Sequence, residues 1–126
     1  MEKHEEAMLK SLVAIAWADG HFAEEEAEVL EAMLSTFHID AEGAALVRTY
    51  AKTPRTLDDV PVAELSIPER AQLLRHAVIL SHIDGGQDDA ERRVLRAVVK
   101  KLEIPEQEAT RLIAEAEDEA RELLDL

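Results

Sequence analysis

The 126 residues are enough for one domain with a hydrophobic core and too few for two comfortable ones, so a single domain over residues 1–126 is expected. Hydrophobic residues make up 47% of the chain but aromatic residues only 3%, which favours helices over strands. The formal net charge of -14 argues against nucleic acid as a partner, and the absence of cysteine excludes disulfides and thiolate metal sites.

The first predicted element is a helix from about Glu5 to Ala18. Its apolar residues lie around most of the helix circumference, which predicts a central helix. The segment before it has neither the basic start nor the apolar stretch of a secretory signal, so a cytoplasmic location is expected. No uncharged stretch of the chain approaches the roughly 20 residues of a spanning helix, so no membrane span is predicted.

Two more helices and a linker complete the first half. Residues 24–37 keep one apolar stripe, which predicts an outer helix with one buried face. A third helix is predicted to start at Ile39-Asp40, with Asp40 as its N-cap. Residues 53–66 carry two prolines and form a predicted linker, with a short helical turn at Val62 to Leu65.

The second half of the chain repeats the first at an offset of 65 residues. Residues 9–47 align with 74–112 without a gap and with ten identities, where about three or four are expected by chance from the composition. The identical pairs are Leu9/Leu74, Val13/Val78, Asp19/Asp84, Gly20/Gly85, Glu26/Glu91, Val29/Val94, Leu30/Leu95, Ala32/Ala97, Ile39/Ile104 and Ala44/Ala109. The repeat predicts an all-α fold in which duplicated three-helix units, about 9–52 and 74–117, form a single bundle of six to seven helices.

The helices of the second half follow from this repeat. The first, from about Pro68 to Ile83, is preceded by Ser66 and Glu69 at the spacing of a capping box and is predicted to pack on its counterpart at the core. An outer helix is predicted over residues 89–102. The last helix starts near Pro105, and its apolar stripe is predicted to close the core.

The two Asp-Gly loops are the most chemically suggestive motif. Each has the pattern Asp-Gly-x5-Glu, which is the second half of a calcium-binding EF-hand loop. The carboxylates that such a loop needs at its first and third positions are missing, because Ile15 and Trp17 stand there in one copy and Leu80 and His82 in the other. A calcium sensor of the ordinary kind is therefore disfavoured.

Two interpretations of these loops remain open. In the first, each glycine ends a helix in the left-handed conformation and the acids favour the start of the next helix. In the second, a weakly bound divalent cation is held by the candidate ligands Asp19, Glu26, Asp84 and Glu91. No other cofactor is predicted.

A basic ridge distinguishes the second outer helix from the first. Arg92, Arg93, Arg96, Lys100 and Lys101 stand where the first copy carries Ala27, Glu28, Glu31, Ser35 and Thr36. One interpretation is a solvated face that pairs with Asp89 and with the acids of the last helix. The other is a docking surface for an acidic partner, with Arg92, Arg93 and Arg96 as the candidate partner-binding residues.

Catalytic patterns find little support. Ser81, His82 and Asp84 supply the residue types of a catalytic triad, but neighbours on a helix point about 100 degrees apart, so Ser81 and His82 cannot act as nucleophile and base. The loop at Asp84-Gly85-Gly86 lacks the remaining residues of a phosphate-binding loop. None of the five histidines pairs at the spacing of a helical zinc site. The chain is therefore predicted not to be an enzyme.

The residues Ala18-Asp19-Gly20 with Phe22 and Glu26, and Ile83-Asp84-Gly85 with Glu91, resemble those of the TerB-like family. That family includes a tellurite-resistance protein and the N-terminal domain of a membrane-anchored DnaJ-type co-chaperone. The resemblance spans roughly Leu9 to Glu115. It implies a duplicated helical fold, a link to bacterial stress responses such as tellurite resistance, and metal binding at the acidic loops.

These observations lead to one expected function and two alternatives. The expectation is a non-enzymatic interaction or scaffold domain of the TerB-like type, acting with protein partners in a stress response. The first alternative is a domain that binds or senses divalent metal ions through the acidic loops. The second and more remote alternative is a metal-dependent hydrolase, which would need at least three carboxylate or imidazole groups to converge in a pocket.

Overall fold

A computed structural model describes residues 1–19, 22, 24–83 and 89–124, without the side chains of residues 19, 25, 80, 83, 89–91, 123 and 124. The described chain is all-helical, as predicted, with six α-helices. These are α1 (Lys3–Ala16), α2 (Glu24–Thr36), α3 (Ala41–Ala51), α4 (Ile67–Ile83), α5 (Asp89–Lys101) and α6 (Glu106–Leu124). Three 3₁₀ turns join them, at Trp17–Asp19, Leu57–Asp59 and Val62–Glu64.

The central pair of the bundle is α1 and α4, which pack against each other as predicted. Nine of the 14 residues of α1 are buried, so this helix is enclosed around most of its circumference. Leu9 and its counterpart Leu74 are both fully buried, at 0% exposure. Within each half, the central helix contacts the two helices that follow it. Burial of apolar residues from all six helices in one connected cluster is the main force that holds the bundle together.

The helix bounds recur at the 65-residue offset. Both α2 and α5 have 13 residues, and their first residues are 65 positions apart. The first residues of α3 and α6 are also 65 positions apart. The difference lies in the last helices: α3 ends at Ala51, whereas α6 continues past the counterpart Ala116 to Leu124. The predicted stripe on α6 is buried at Leu112, Ala116 and Ala120, so this longer helix does close the core.

The two outer helices end in the same way. His38 and Glu103, again 65 residues apart, have positive φ angles of 54° and 57°. After α2, the N–H of His38 donates to the carbonyl of Ser35 at 3.1 Å, and the N–H of Ile39 donates to that of Leu34 at 3.0 Å. The equivalent bonds after α5 measure 3.1 and 3.2 Å. This is the Schellman arrangement, which satisfies carbonyl groups that the end of a helix leaves without partners.

The predicted caps of α3 and α4 are confirmed. The carboxylate of Asp40 accepts a 2.7 Å hydrogen bond from the N–H of Gly43. At the start of α4, the Ser66 hydroxyl accepts from the N–H of Glu69 at 3.2 Å, and the Glu69 carboxylate accepts from the N–H of Ser66 at 2.8 Å. The prediction that the first helix continues to Ala18 was wrong by two residues, because α1 tightens into a 3₁₀ turn at Trp17.

None of the described helices combines the length and the apolar character that crossing a membrane requires.

Candidate functional site

The structure describes only part of the predicted metal site. Glu26 is the third residue of α2, and its side chain is 4% exposed and interacts with another group of the protein. Asp19 ends the Trp17 turn, and Glu91 is the third residue of α5, both described by their backbone alone. Asp84 lies outside the described residues, as do Gly20 and Gly85, so the predicted glycine helix ends lie there too.

Within the described part of the chain, no group of three or more His, Asp or Glu side chains converges as a metal site would require. The prediction that Asp19, Glu26, Asp84 and Glu91 hold a cation therefore stays a prediction. Burial of a charged carboxylate such as that of Glu26 is costly unless the charge is compensated.

The basic ridge lies on the exposed side of α5. Arg92, Arg93, Arg96 and Lys100 are all exposed, and we call these four residues the α5 basic face. The opposite side of the same helix is buried through Leu95 and Val98. Arg96 donates a long 3.5 Å hydrogen bond to the carbonyl of Arg92. Lys101, at the end of α5, forms a 3.9 Å ion pair with Asp58 in the Leu57–Asp59 turn.

The repeat explains why Arg96 has no carboxylate partner in the described structure. In the first half, the Arg48 guanidinium of α3 makes two hydrogen bonds, of 2.7 and 2.8 Å, to the Glu31 carboxylate of α2. This pairing lowers the pKa of Glu31, chiefly through the hydrogen bond. In the second half Arg96 replaces Glu31 and Ile113 replaces Arg48. The pair between the second and third helices is therefore absent there.

Several acids of α6 form ion pairs outside α5, and the side chain of Asp89, the other predicted partner of the ridge, is not among those described. Arg75 of α4 pairs with Glu119, and Arg111 pairs with both Glu108 and Glu115. Arg121 is 2.9 Å from Asp118. No ion pair joins Arg93, Arg96 or Lys100 to α6 among the described side chains, so these three cations face solvent with their charges uncompensated by that helix.

A groove beside α5 was not predicted from the sequence. It has a volume of 480 Å³ and is lined by Trp17, Ala18, Arg55, Thr56, Leu57 and Asp58. We call it the Trp17 groove. The Trp17 ring packs against the core while remaining partly exposed to this groove.

Trp17 and Arg55 are held in place by neighbouring backbone and rings. The indole N–H of Trp17 donates to the carbonyl of Ala51 at 2.9 Å, and the ring stacks on Phe22 with centroids 5.8 Å apart. Arg55 donates from Nε to the Tyr50 carbonyl at 3.1 Å, and its guanidinium lies 3.6 Å from the centre of the Tyr50 ring. These contacts fix the wall of the groove.

The histidines of α4 offer no catalytic arrangement among the described residues. Ser81 donates its hydroxyl to the Val78 carbonyl at 2.6 Å, so this hydroxyl is engaged by its own helix. The Nε2 atoms of His76 and His82 are buried and have no hydrogen-bond partner in the part of the chain that the structure describes. Burial and, to a smaller extent, the neighbouring Arg75 lower the pKa of His76, which favours its neutral form.

A search of curated proteins and a search of solved structures each found no match to this chain. A family model described as "Protein of unknown function (DUF533)" matches residues 1–116, nearly the whole chain. The protein therefore belongs to the DUF533 family.

Proposed function

We propose that this chain is a non-enzymatic interaction domain of the TerB-like type, which binds an acidic segment of a protein partner on the α5 basic face. The observation that carries the proposal is the replacement of the Glu31–Arg48 pair by Arg96 and Ile113 in the second half. Where the first half pairs Glu31 of its outer helix with Arg48, the second half presents Arg93, Arg96 and Lys100 to solvent.

The charge distribution supports an acidic protein partner. The chain carries a net charge of -14, yet four cations lie together on one exposed helix face. Complementary charges speed association and fix the orientation of a partner. The negative charge of the rest of the molecule repels a long polyanion such as nucleic acid, whereas a short acidic segment can contact α5 alone.

Binding of a labelled peptide of twelve glutamates, measured by fluorescence anisotropy, tests the proposal. At about 0.1 M salt the screening length is about 10 Å, so distant acids of the domain matter little while contacts on α5 persist. The test variant is Arg93→Glu/Arg96→Glu. The matched control is Lys3→Glu/Lys52→Glu, which changes the net charge equally at exposed sites outside α5.

We expect the wild type and the control to bind the peptide, and the α5 variant to lose at least about tenfold in affinity, because it places two anions against an acidic ligand. Equal affinities of the two variants, or no binding by the wild type, would overturn the proposal. Affinity purification from the source cells with the same three proteins then identifies physiological partners as those lost with the α5 variant alone.

The resemblance to the TerB-like family extends the proposal to a pathway. The partner is expected to act in a stress response, of which tellurite resistance is one form. Growth of a deletion strain on tellurite, complemented by the wild type or by the α5 variant, tests this extension. Equal growth of all strains under tellurite and other stresses would contradict it.

A divalent cation at the acidic loops is the second candidate function, and the burial of the Glu26 carboxylate is the observation on its side. Thermal unfolding with millimolar calcium, magnesium, manganese or zinc tests it. A metal at a hundred times its dissociation constant stabilises the folded state by about 2.7 kcal/mol. An unchanged melting temperature with every metal would remove this candidate.

A further inference from the structure

The Trp17 groove has an apolar floor and a polar rim. The indole N–H of Trp17 is already bonded to Ala51, so the ring offers only carbon surface to the groove. Ala18 and the half-buried Leu57 extend this surface, while Arg55 and Asp58 supply charges at the edge. A volume of 480 Å³ lies within the range of small-ligand pockets and is ample for one large apolar side chain.

The groove lies near the helix that carries the α5 basic face. Both turns that build the groove, Trp17–Asp19 and Leu57–Asp59, pack against α5. Lys101, which follows Lys100 of the basic face, reaches Asp58 of the groove at 3.9 Å. A chain that runs along α5 past Lys100 would meet the Lys101–Asp58 pair at the edge of the groove, where Arg55 supplies a further positive charge.

The asymmetry of the repeat creates this groove. In the first half, α3 stops at Ala51 and the chain continues into the linker that supplies residues 55–58 of the groove wall. The counterpart of that segment is 120–123, which belongs to α6. Because residues 120–123 are helical, the second half has no equivalent of the irregular segment that lines the groove.

We infer that the Trp17 groove holds an apolar side chain of the same acidic segment that binds α5. The ligand is thus an acidic peptide with one large apolar residue, whose carboxylates contact the α5 basic face while the apolar side chain covers Trp17. This inference rests on the proposed function. It adds an anchor that gives specificity beyond charge, since buried apolar anchors contribute much of the energy of protein interfaces.

Two peptides test the inference: twelve glutamates, and the same peptide with one central phenylalanine. Trp17 is the only tryptophan, and phenylalanine does not contribute to emission excited at the tryptophan edge, so the fluorescence reports on the groove directly. We expect the phenylalanine peptide to bind wild-type protein at least about fivefold more tightly and to shift the Trp17 emission. The all-glutamate peptide should bind without that shift.

A substitution that fills the groove tests whether the phenylalanine of the peptide binds there. Ala18→Phe is expected to remove the advantage of the phenylalanine peptide and leave binding of the all-glutamate peptide unchanged. The matched control is Ala63→Phe, the same exchange at an exposed position of another 3₁₀ turn outside the groove. This control should keep the full advantage. Circular dichroism establishes that both variants are folded, and the wild-type comparison decides the question even if Ala18→Phe does not fold.

The outcomes separate the two proposals. Equal affinities of wild-type protein for both peptides, with binding lost in Arg93→Glu/Arg96→Glu, would overturn the apolar anchor and leave the proposed function standing. Failure of wild-type protein to bind either peptide would overturn both. A gain from phenylalanine that persists in Ala18→Phe would place the anchor elsewhere and also overturn the inference.

Discussion

Helices α2 and α5 occupy equivalent places in the two halves and differ mainly in what they present to solvent. Each has 13 residues, contacts the central helix of its half and ends in a Schellman motif at a residue with positive φ. On α2, Glu31 is held by Arg48 of the neighbouring helix. On α5, Arg96 has Ile113 where that partner would stand.

The two halves share their buried framework of core and helix ends but differ on the surface of the outer helix. The buried core and the conformation of the helix ends recur in both halves, whereas four exposed positions of the second outer helix carry arginine or lysine in place of neutral or acidic residues. Exposed substitutions cost little stability, so this face of α5 could diverge while the bundle stayed intact. A distinct function of the second half is therefore expected on its surface.

The largest expected effect tests the shared framework. Leu9→Ala and Leu74→Ala each remove a fully buried side chain at equivalent positions of the central helices. Each should lower the free energy of unfolding by about 2–5 kcal/mol, through lost burial and the cavity left behind. Urea denaturation measures both, with Leu46→Ala, 63% exposed, as a control expected to change it by less than about 0.5 kcal/mol. A decrease of less than about 1 kcal/mol in the free energy of unfolding for either variant would contradict the equivalence of the two central helices.

The matching helix ends predict a smaller, stabilising effect. His38→Gly and Glu103→Gly should each raise the free energy of unfolding by about 0.5–1 kcal/mol, because glycine adopts positive φ without the clash of a side chain. The controls are Ala32→Gly and Ala97→Gly, at exposed interior positions of the same helices, which should lower it by a similar amount. Destabilisation by either end substitution, measured by urea denaturation, would contradict the Schellman assignment.

Between pH 7 and pH 5, a pH effect on stability is expected from His76 in the second half. His76 stands where the first half has Ser11, a buried serine whose hydroxyl donates to the Ala7 carbonyl at 2.6 Å. Burial and Arg75 lower the pKa of folded His76, with Glu119 opposing, so the unfolded chain takes up the proton first as pH falls below about 6.5. The contribution of neutral His76 to the stability of the fold is therefore fully present above that pH. It is lost as the pH falls towards the lowered pKa of folded His76.

His76→Gln should accordingly lose less stability than wild type between pH 7 and pH 5, as measured by thermal unfolding across that range. His4→Gln, at an exposed position, serves as the control and should keep the wild-type slope. Identical slopes for His76→Gln and wild type would show that His76 is not the group responsible.

The smallest effect is expected from copying the second half into the first. Arg48→Ile breaks the Glu31 pair, whose side chains are 50% and 51% exposed, so it should lower the melting temperature only slightly. It should also bring the pKa of Glu31 back towards its ordinary value, because the hydrogen bond from Arg48 is what lowers it. Titration of Glu31 by NMR checks this, and an unchanged pKa would contradict the assigned cause.

Much of the fold could be predicted because local signals and the repeat agreed. The apolar stripes placed the outer helices at 24–37 and 89–102, within one residue of their observed ends. The start of α1 was missed by two residues, because Glu2 and Glu5 organise it through a 2.9 Å hydrogen bond where a conventional small cap residue is absent. The positive φ angles at His38 and Glu103 have no signal in the residue type, since glycine is the usual choice there.

The candidate site likewise has one part that the sequence predicts and one part that it does not. The α5 cations stand out in the sequence because they recur at helical spacing against neutral or acidic counterparts. The Trp17 groove has no comparable signal, because Trp17 and Arg55 come together only through the packing of α1, α3 and the linker. The change of Arg48 to Ile113 was visible in the repeat, but its meaning depended on the contact between Arg48 and Glu31.

The contact between α1 and α4 also has a consequence for the integrity of the chain. Each half wraps its own central helix on only some sides and relies on the other half to cover the rest. A single cut in the linker would leave two peptides that can bury their hydrophobic central helices fully only by associating with each other. Fragments 1–60 and 61–126 should therefore reassemble when mixed, and a protease that cuts at an exposed linker residue such as Thr53 should leave the two parts associated.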